Sequence, residues 1–139
     1  MSALENKRIM ERVFDRLAAG DGGPFVEALA ADVRWTIIGS SPWSGTWDGK
    51  RAVRSELLDP LMAQFAGRYR NRAVRLIAEG DHVVIECRGD AVTRAGKRYD
   101  NTYCYVCRLA GGKVRELTEY CDTELLWSAL APPEGVSAR

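Results

Sequence analysis

The chain has 139 residues and a mass of 15.4 kDa, with 46% hydrophobic and 28% charged residues and a formal charge of +1. That length suits one hydrophobic core, so residues 1–139 are expected to form a single domain, and the balanced charge, with no concentrated Lys and Arg face, argues against nucleic acid as a partner. Met1-Ser2-Ala3-Leu4-Glu5-Asn6-Lys7-Arg8 lacks the basic-then-apolar order of a secretory signal, and no apolar run is long enough to span a bilayer, so a cytoplasmic protein with no membrane partner is expected.

Ile9, Met10, Val13, Phe14 and Leu17 recur at helical spacing with charges between them and Gly20 beyond as a stop, which predicts an amphipathic first helix. Pro24 suits the first turn of a short second helix carrying Phe25, Val26, Ala28 and Leu29, and Asp32 ends it before a β-rich segment, Val33 to Ile38. Residues 39–49 hold Trp43 and Trp47 among turn formers, which predicts a short hairpin or lid. Val53, Leu57, Leu58, Leu61, Met62 and Phe65 give a third helix an apolar face, and Pro60 should kink or split it before Gly67. From Tyr69 the period changes to two. Strands are predicted near 70–78, 82–93, 97–109 and 113–121, joined by tight turns at Glu79-Gly80-Asp81, Ala95-Gly96 and Gly111-Gly112 into an antiparallel meander. A final helix capped by Asp122 or Thr123 carries Leu125, Leu126, Trp127 and Leu130.

Helices followed by long strands that must curl around them predict an α+β fold with a cone-shaped cavity. Three stretches also resemble a known family: Trp43-Ser44-Gly45-Thr46-Trp47-Asp48-Gly49, Tyr99-Asp100-Asn101-Thr102-Tyr103-Cys104 and Gly112-Lys113-Val114-Arg115-Glu116-Leu117-Thr118-Glu119-Tyr120-Cys121-Asp122-Thr123. They are similar to the SnoaL-like, ketosteroid-isomerase-related branch of the nuclear-transport-factor-2-like superfamily, over nearly the whole chain. The resemblance implies a cone-shaped α+β barrel of the cystatin-like type, a curved antiparallel sheet wrapped around N-terminal helices, with a small-molecule pocket between them. This fold hosts isomerases, cyclases, dehydratases, epoxide hydrolases and noncatalytic binders, so function has to be argued from the pocket.

A tight turn at Ala95-Gly96 sets Thr93 opposite Arg98, which places Asp90 against Asn101, Arg88 against Tyr103 and Glu86 against Tyr105. A three-residue loop of Ala110, Gly111 and Gly112 sets Tyr103 opposite Glu119, Asn101 opposite Cys121 and Tyr105 opposite Leu117. On this register one polar row reads Arg88, Tyr103, Glu119, with Asp90 and Asn101 beside it and the guanidinium between two carboxylates. Such a row can divide acid and base roles between Asp90 and Glu119, or it can be a satisfied salt-bridge row with no chemistry. The opposite face, with Val83, Ile85, Cys87, Thr102, Cys104 and Val106, suits a second subunit, so a homodimer through the outer sheet face is expected. The candidate catalytic residues are therefore Glu119, Arg88 and Asp90. The candidate substrate-binding residues are Tyr103, Asn101, Trp35, Ile37, Phe65 and Leu117, with Trp43 and Trp47 adding to an apolar wall and lid.

The same row resembles the aspartate, arginine, aspartate triad of limonene epoxide hydrolase, with Glu119, Arg88 and Asp90 at the matching positions. In that family a Tyr and an Asn of the first strand help hold the attacking water; Trp35 and Ile37 stand at those places. The ketosteroid isomerase pattern, a Tyr and a protonated acid opposite an Asp base, has no matching set, and Tyr103 is the substitute donor. His82, the single histidine, follows a turn at the far end of its strand and should face solvent; the superfamily's dehydratases usually carry a pocket histidine, which argues against dehydration. Cys104 and Cys107, three apart on a strand, point to opposite faces and cannot share a metal, so neither metal nor cofactor is expected. The resulting expectation is an acid-base isomerase or cyclase acting on a small, largely apolar oxygenated molecule, with epoxide hydrolysis and noncatalytic binding as alternatives.

Overall fold

The computed structural model describes residues 1–133. Helix α1, Ala3–Ala18, begins where the Ser2 hydroxyl accepts a hydrogen bond from the Glu5 amide (3.1 Å), satisfying one of the first-turn N–H groups that have no partner inside the helix. Its buried stripe is Met10, Val13, Phe14 and Leu17, the three-and-four spacing read from the sequence. Helix α2, Gly23–Ala28, has Pro24 in its first turn and runs directly into strand β1, Leu29–Ile37. Strand β2, Gly45–Asp48, folds back antiparallel on β1, so the turn-rich segment is a hairpin. Trp43 in its loop is 1% exposed, and its indole N–H donates to the Ala131 carbonyl at 2.8 Å, which ties the loop to the end of the described chain.

The third helical segment is continuous but changes pitch. It runs through α3, Lys50–Ala52, a π-helical stretch, Val53–Leu58, and α4, Asp59–Met62. Pro60 supplies the reason: it has no N–H for the Glu56 carbonyl and its ring crowds that turn, which a widened turn relieves. The expected kink is thus a local widening.

Strands β3, Phe65–Glu79, β4, His82–Thr93, β5, Thr102–Ala110, and β6, Lys113–Cys121, form the predicted meander. Helix α5, Thr123–Ala129, closes the described chain, with the Asp122 carboxylate accepting from Leu125 N at 3.1 Å. The sheet order is β2-β1-β6-β5-β4-β3. The chain adopts the expected α+β fold, a curved sheet wrapped around N-terminal helices; the sheet is not closed, and β1 joins β6 in parallel within it. A parallel pairing needs a long crossover, and the whole chain between β1 and β6 provides one. Among the described residues, no helix is long and apolar enough to cross a membrane.

The hairpin registers depart from expectation. Between β4 and β5, Thr93 rather than Arg94 closes the loop against Lys97: Thr93 N donates to Lys97 O at 2.8 Å, and Lys97 N donates to Thr93 Oγ1 at 3.0 Å. Gly96, at φ 87°, takes the left-handed position that such a three-residue loop requires. Cys87 therefore pairs with Tyr103 and Arg88 with Thr102, one residue from the expected register. Between β5 and β6 the loop is the two-residue Gly111-Gly112, both with positive φ, and a bulge follows at Arg108/Leu109. Tyr103 then pairs with Cys121 and Tyr105 with Glu119; a two-residue displacement leaves every side chain on its expected face.

Candidate active site

The inner face of the sheet is set by strand alternation. β5 contributes Tyr103 and Tyr105, β6 contributes Leu117 and Glu119, and β1 contributes Trp35 and Ile37; all six are buried. The one-residue slip turns β4 over, so its inward residues are Val83, Ile85, Cys87, Gly89 and Ala91, while Arg88 and Asp90 stand exposed on the outer face. The row Arg88, Tyr103, Glu119 therefore does not exist. Asp90 is instead bound to Arg98, which also holds Asp100. The expected outer set divides the same way: Thr102, Cys104 and Val106 face out, whereas Val83, Ile85 and Cys87 are core residues at 0, 0 and 1% exposure.

A cavity of about 580 Å³ lies between the inner face and the helices. Phe25 and Val26 of α2, Leu58 and Leu61 of the third helical segment and Leu126 of α5 cover it, and Trp43 closes one side. Exposed Glu27, Arg54 and Asp59 stand at its mouth. The aromatic wall is continuous: Phe25 packs on Trp35 with ring centroids 5.7 Å apart, Trp35 on Tyr105 at 6.2 Å, and Tyr105 on Tyr103 at 5.3 Å.

Glu119 is the one buried charged residue among those described. It sits on the central strand β6, between Ile37 of β1 and Tyr105 of β5. Burial destabilises its charged form and raises the carboxyl from 4.5 to about 7, even though the Trp35 indole, donating to Oε1 at 3.3 Å, and the nearby Cys121 thiol both favour the anion. Such a group is part acid and part base at neutral pH.

Across the cavity the polar groups are phenols. Asn71 Nδ2 donates to Tyr69 Oη at 3.2 Å, and Tyr69 Oη donates to Tyr103 Oη at 2.9 Å. Burial raises Tyr69, Tyr99 and Tyr103 above the ordinary phenol range, with the Glu119 charge adding to each, so these hydroxyls are protonated donors. Asn101 has no exposure and does not line the cavity. Its amide donates to Tyr99 Oη (3.0 Å) and Asp122 O (3.1 Å) and accepts from Thr102 N (2.7 Å) and Asp122 N (3.1 Å). With all four hydrogen-bonding positions used, it braces Tyr99 and has none left for a ligand. Phe65 stacks behind Tyr99 with centroids 5.8 Å apart and Leu117 is core; neither lines the cavity. Of the expected site residues, Glu119, Tyr103, Trp35 and Ile37 do line it. Tyr69, Asn71 and Tyr99 are lining residues that the sequence reading missed.

Neither of the other candidate centres gathers ligands. His82 is exposed beside Asp81, as its turn position implied, and no group of His, Cys, Asp and Glu able to hold a metal is found among the described residues.

The profile of the SnoaL-like domain matches residues 10–117. The chain belongs to the SnoaL-like domain family. Glu119 falls just beyond the matched span, so its place in the SnoaL-like cavity rests on geometry alone. Solved structures similar to this SnoaL-like domain include a nuclear-transport-factor-2-like protein of Burkholderia thailandensis E264, at 22% identity over 95% of this chain and 100% of that one, with a TM-score of 0.77. A protein of Jannaschia sp. CCS1 assigned as a SnoaL-like polyketide cyclase is 20% identical over 94% of each chain, with a TM-score of 0.74. TerC, crystallised with polyporic acid, is 18% identical over 89% of this chain and 96% of its own, also at 0.74. Identities this low show the shared fold. No curated protein matches the chain.

Proposed function

We propose that this SnoaL-like domain is an acid-base catalyst that isomerises or cyclises a small, largely apolar ketone. The observation that carries the reading is the enclosed Glu119 carboxyl facing protonated tyrosine hydroxyls across an aromatic cavity. The ionised carboxylate takes a proton from the carbon next to the carbonyl. The C–H electron pair forms a C=C bond, and the carbonyl π pair moves to oxygen, where the Tyr103 hydroxyl stabilises it. Isomerisation follows when the ketone carries a β,γ C=C bond: the enolate is then a dienolate, the Glu119 carboxyl returns the proton to its γ carbon, the carbonyl re-forms, and the C=C bond ends in conjugation with it. Cyclisation follows when the enolate carbon attacks a second carbonyl of the same molecule and that oxygen takes the proton. The crystallisation of TerC, a protein of the same fold, with polyporic acid is consistent with a small-molecule cavity. Epoxide hydrolysis by Glu119, Arg88 and Asp90 is not retained, because Arg88 and Asp90 lie on the other side of the sheet.

The test is exchange of the α-protons of 1-tetralone in deuterium oxide, followed by proton NMR. Catalysed exchange is expected with the wild-type protein; exchange no faster than in buffer would end the proposal.

The tyrosine pair depends on Gly89. A methyl group there would lie 3.3 Å from Tyr103 Cε2 and 3.4 Å from Tyr69 Oη. Gly89→Ala should displace the hydroxyls by a few tenths of an ångström and slow exchange roughly tenfold while the fold is retained, because a misplaced donor loses much of its effect. Unchanged exchange in a folded Gly89→Ala protein would separate the hydroxyl pair from the reaction.

The protein is also proposed to form a homodimer through the outer sheet face. The strand registers set Ile77, Val84, Val106, Thr118 and Thr36 side by side in one row across that face, and Ile77 is 52% exposed. Light scattering should give twice the chain mass for the wild type and the chain mass for Val106→Glu; a monomeric wild type would refute the dimer.

A further inference from the structure

The outward turn of Arg88 and Asp90 leaves a group of charges on the far side of the sheet from the aromatic cavity. Strand pairing sets Arg72 of β3 directly opposite Arg88, and Arg70, two residues earlier on the same face of β3, opposite Asp90. Like charges facing each other across a ladder destabilise a sheet. Nothing within the fold offsets them, because Arg70, Arg72 and Arg88 make no hydrogen bond or ion pair among the described residues. The two acids at hand are already taken: Arg98 bonds Asp90 at 2.5 Å and Asp100 at 2.6 Å, and the Ala91 amide also donates to Asp100 at 3.1 Å. The three unpaired arginines border one hollow of about 290 Å³, together with Asp90, Asp100 and Ala18 at the end of α1. It shares no lining residue with the aromatic cavity.

We propose that this hollow binds a small phosphate-bearing molecule, with the dianionic phosphate between Arg72 and Arg88 and Arg70 beside it. Each guanidinium offers a planar fork of donors that matches the oxygens of a phosphate. Charge sets the class of anion: with Arg98 included, four arginines stand against two aspartates, so a dianion balances the site and a single carboxylate does not. All three unpaired arginines are exposed, which leaves them open to a ligand from solvent. The concave shape takes one phosphate group and not a flat anionic surface. Arg88 lies four residues along β4 from Val84 of the proposed dimer row, about 13 Å at the rise of a strand, and every lining residue comes from one copy of the chain.

The probe is inorganic phosphate, titrated into the wild-type protein by calorimetry at about pH 7.5, where the dianion predominates, with acetate at the same ionic strength as the comparison. Phosphate should bind saturably, one per chain, and at least about tenfold more tightly than acetate. Arg72→Gln and Arg88→Gln should each weaken phosphate at least about tenfold, since each removes a charge-assisted hydrogen bond. Both change exposed side chains and relieve a like-charged pair, so the fold should be kept. Arg51→Gln removes the same charge from α3 and should leave phosphate binding unchanged. No saturable binding, equal affinity for acetate, or an equal loss in Arg51→Gln would overturn the proposal. Phenyl phosphate and vesicles of phosphatidylcholine with phosphatidic acid separate a soluble ester from a lipid headgroup: phenyl phosphate should bind at least as tightly as inorganic phosphate, and sedimentation with the acidic vesicles without binding of either soluble phosphate would also overturn it.

Discussion

Glu119→Gln is expected to slow α-proton exchange roughly a hundredfold to ten-thousandfold, the usual contribution of a positioned general base. Binding of 1-tetralone should change by no more than about twofold, since glutamine keeps the shape of the side chain and removes an interaction made in the transition state. The amide oxygen can still accept from the Trp35 indole that now donates to Glu119 Oε1. Asp90→Asn provides the control: Asp90 is exposed on the opposite face and bound to Arg98, so its rate should equal that of the wild type. The pH dependence follows from the protonation state required. A base acts as the carboxylate, so exchange should rise with pH and level off above about 7, where burial places the Glu119 carboxyl. A midpoint in the ordinary carboxylate range, or a rate in Glu119→Gln equal to the wild type, would remove Glu119 from the mechanism.

The elements were legible because their punctuation is strong. Gly20, Pro24, Gly80, Gly96 and Gly111-Gly112 mark chain reversals or helix ends, and the change from a helical to a two-residue period near Tyr69 falls just inside β3, whose first residue, Phe65, the helical spacing assigns to the third helix. The faces of β5 and β6 were legible as well, and with them Tyr103 and Glu119. β4 was not, because its face was inferred by counting across a loop, where one residue decides everything. The strand's own alternation carried the better signal: Val83, Ile85, Cys87, Gly89 and Ala91 interleave with Glu86, Arg88 and Asp90, which puts every charge of the strand interior on one face. The same test separates Tyr69, Asn71 and Ala73 from Arg68, Arg70 and Arg72 on β3. Of the residues that alternate with those arginines, Tyr69 and Asn71 line the cavity. The π-helical stretch before Pro60 and the parallel pairing of β1 with β6 depend on tertiary packing and have no local signature.

Replacing Glu119 should also change how stability depends on pH, with a sign opposite to that of most carboxylates. The folded protein holds the Glu119 proton up to about pH 7, whereas an unfolded chain releases it near 4.5. Between those values the folded state binds the extra proton, so wild-type stability falls as pH rises through that window, by about 3 kcal/mol for a shift of this size. Asp21 and Asp100 act in the other direction: the Gly23 amide and then Arg16 lower the Asp21 carboxyl, Arg98 and then the Ala91 amide lower that of Asp100, and the stability they add is lost as pH falls. Both effects are shared with Glu119→Gln and cancel in the difference between the two proteins. The buried thiols and phenols are raised from values of 9 and 10, so they act only above that window. Urea unfolding from pH 4 to pH 8 should therefore find Glu119→Gln near wild-type stability at the acid end and more stable by up to about 3 kcal/mol at pH 8. Parallel curves for the two proteins would mean that Glu119 is not held neutral by burial. A divergence would identify the carboxyl as a group kept at the expense of stability, as a base retained for chemistry is.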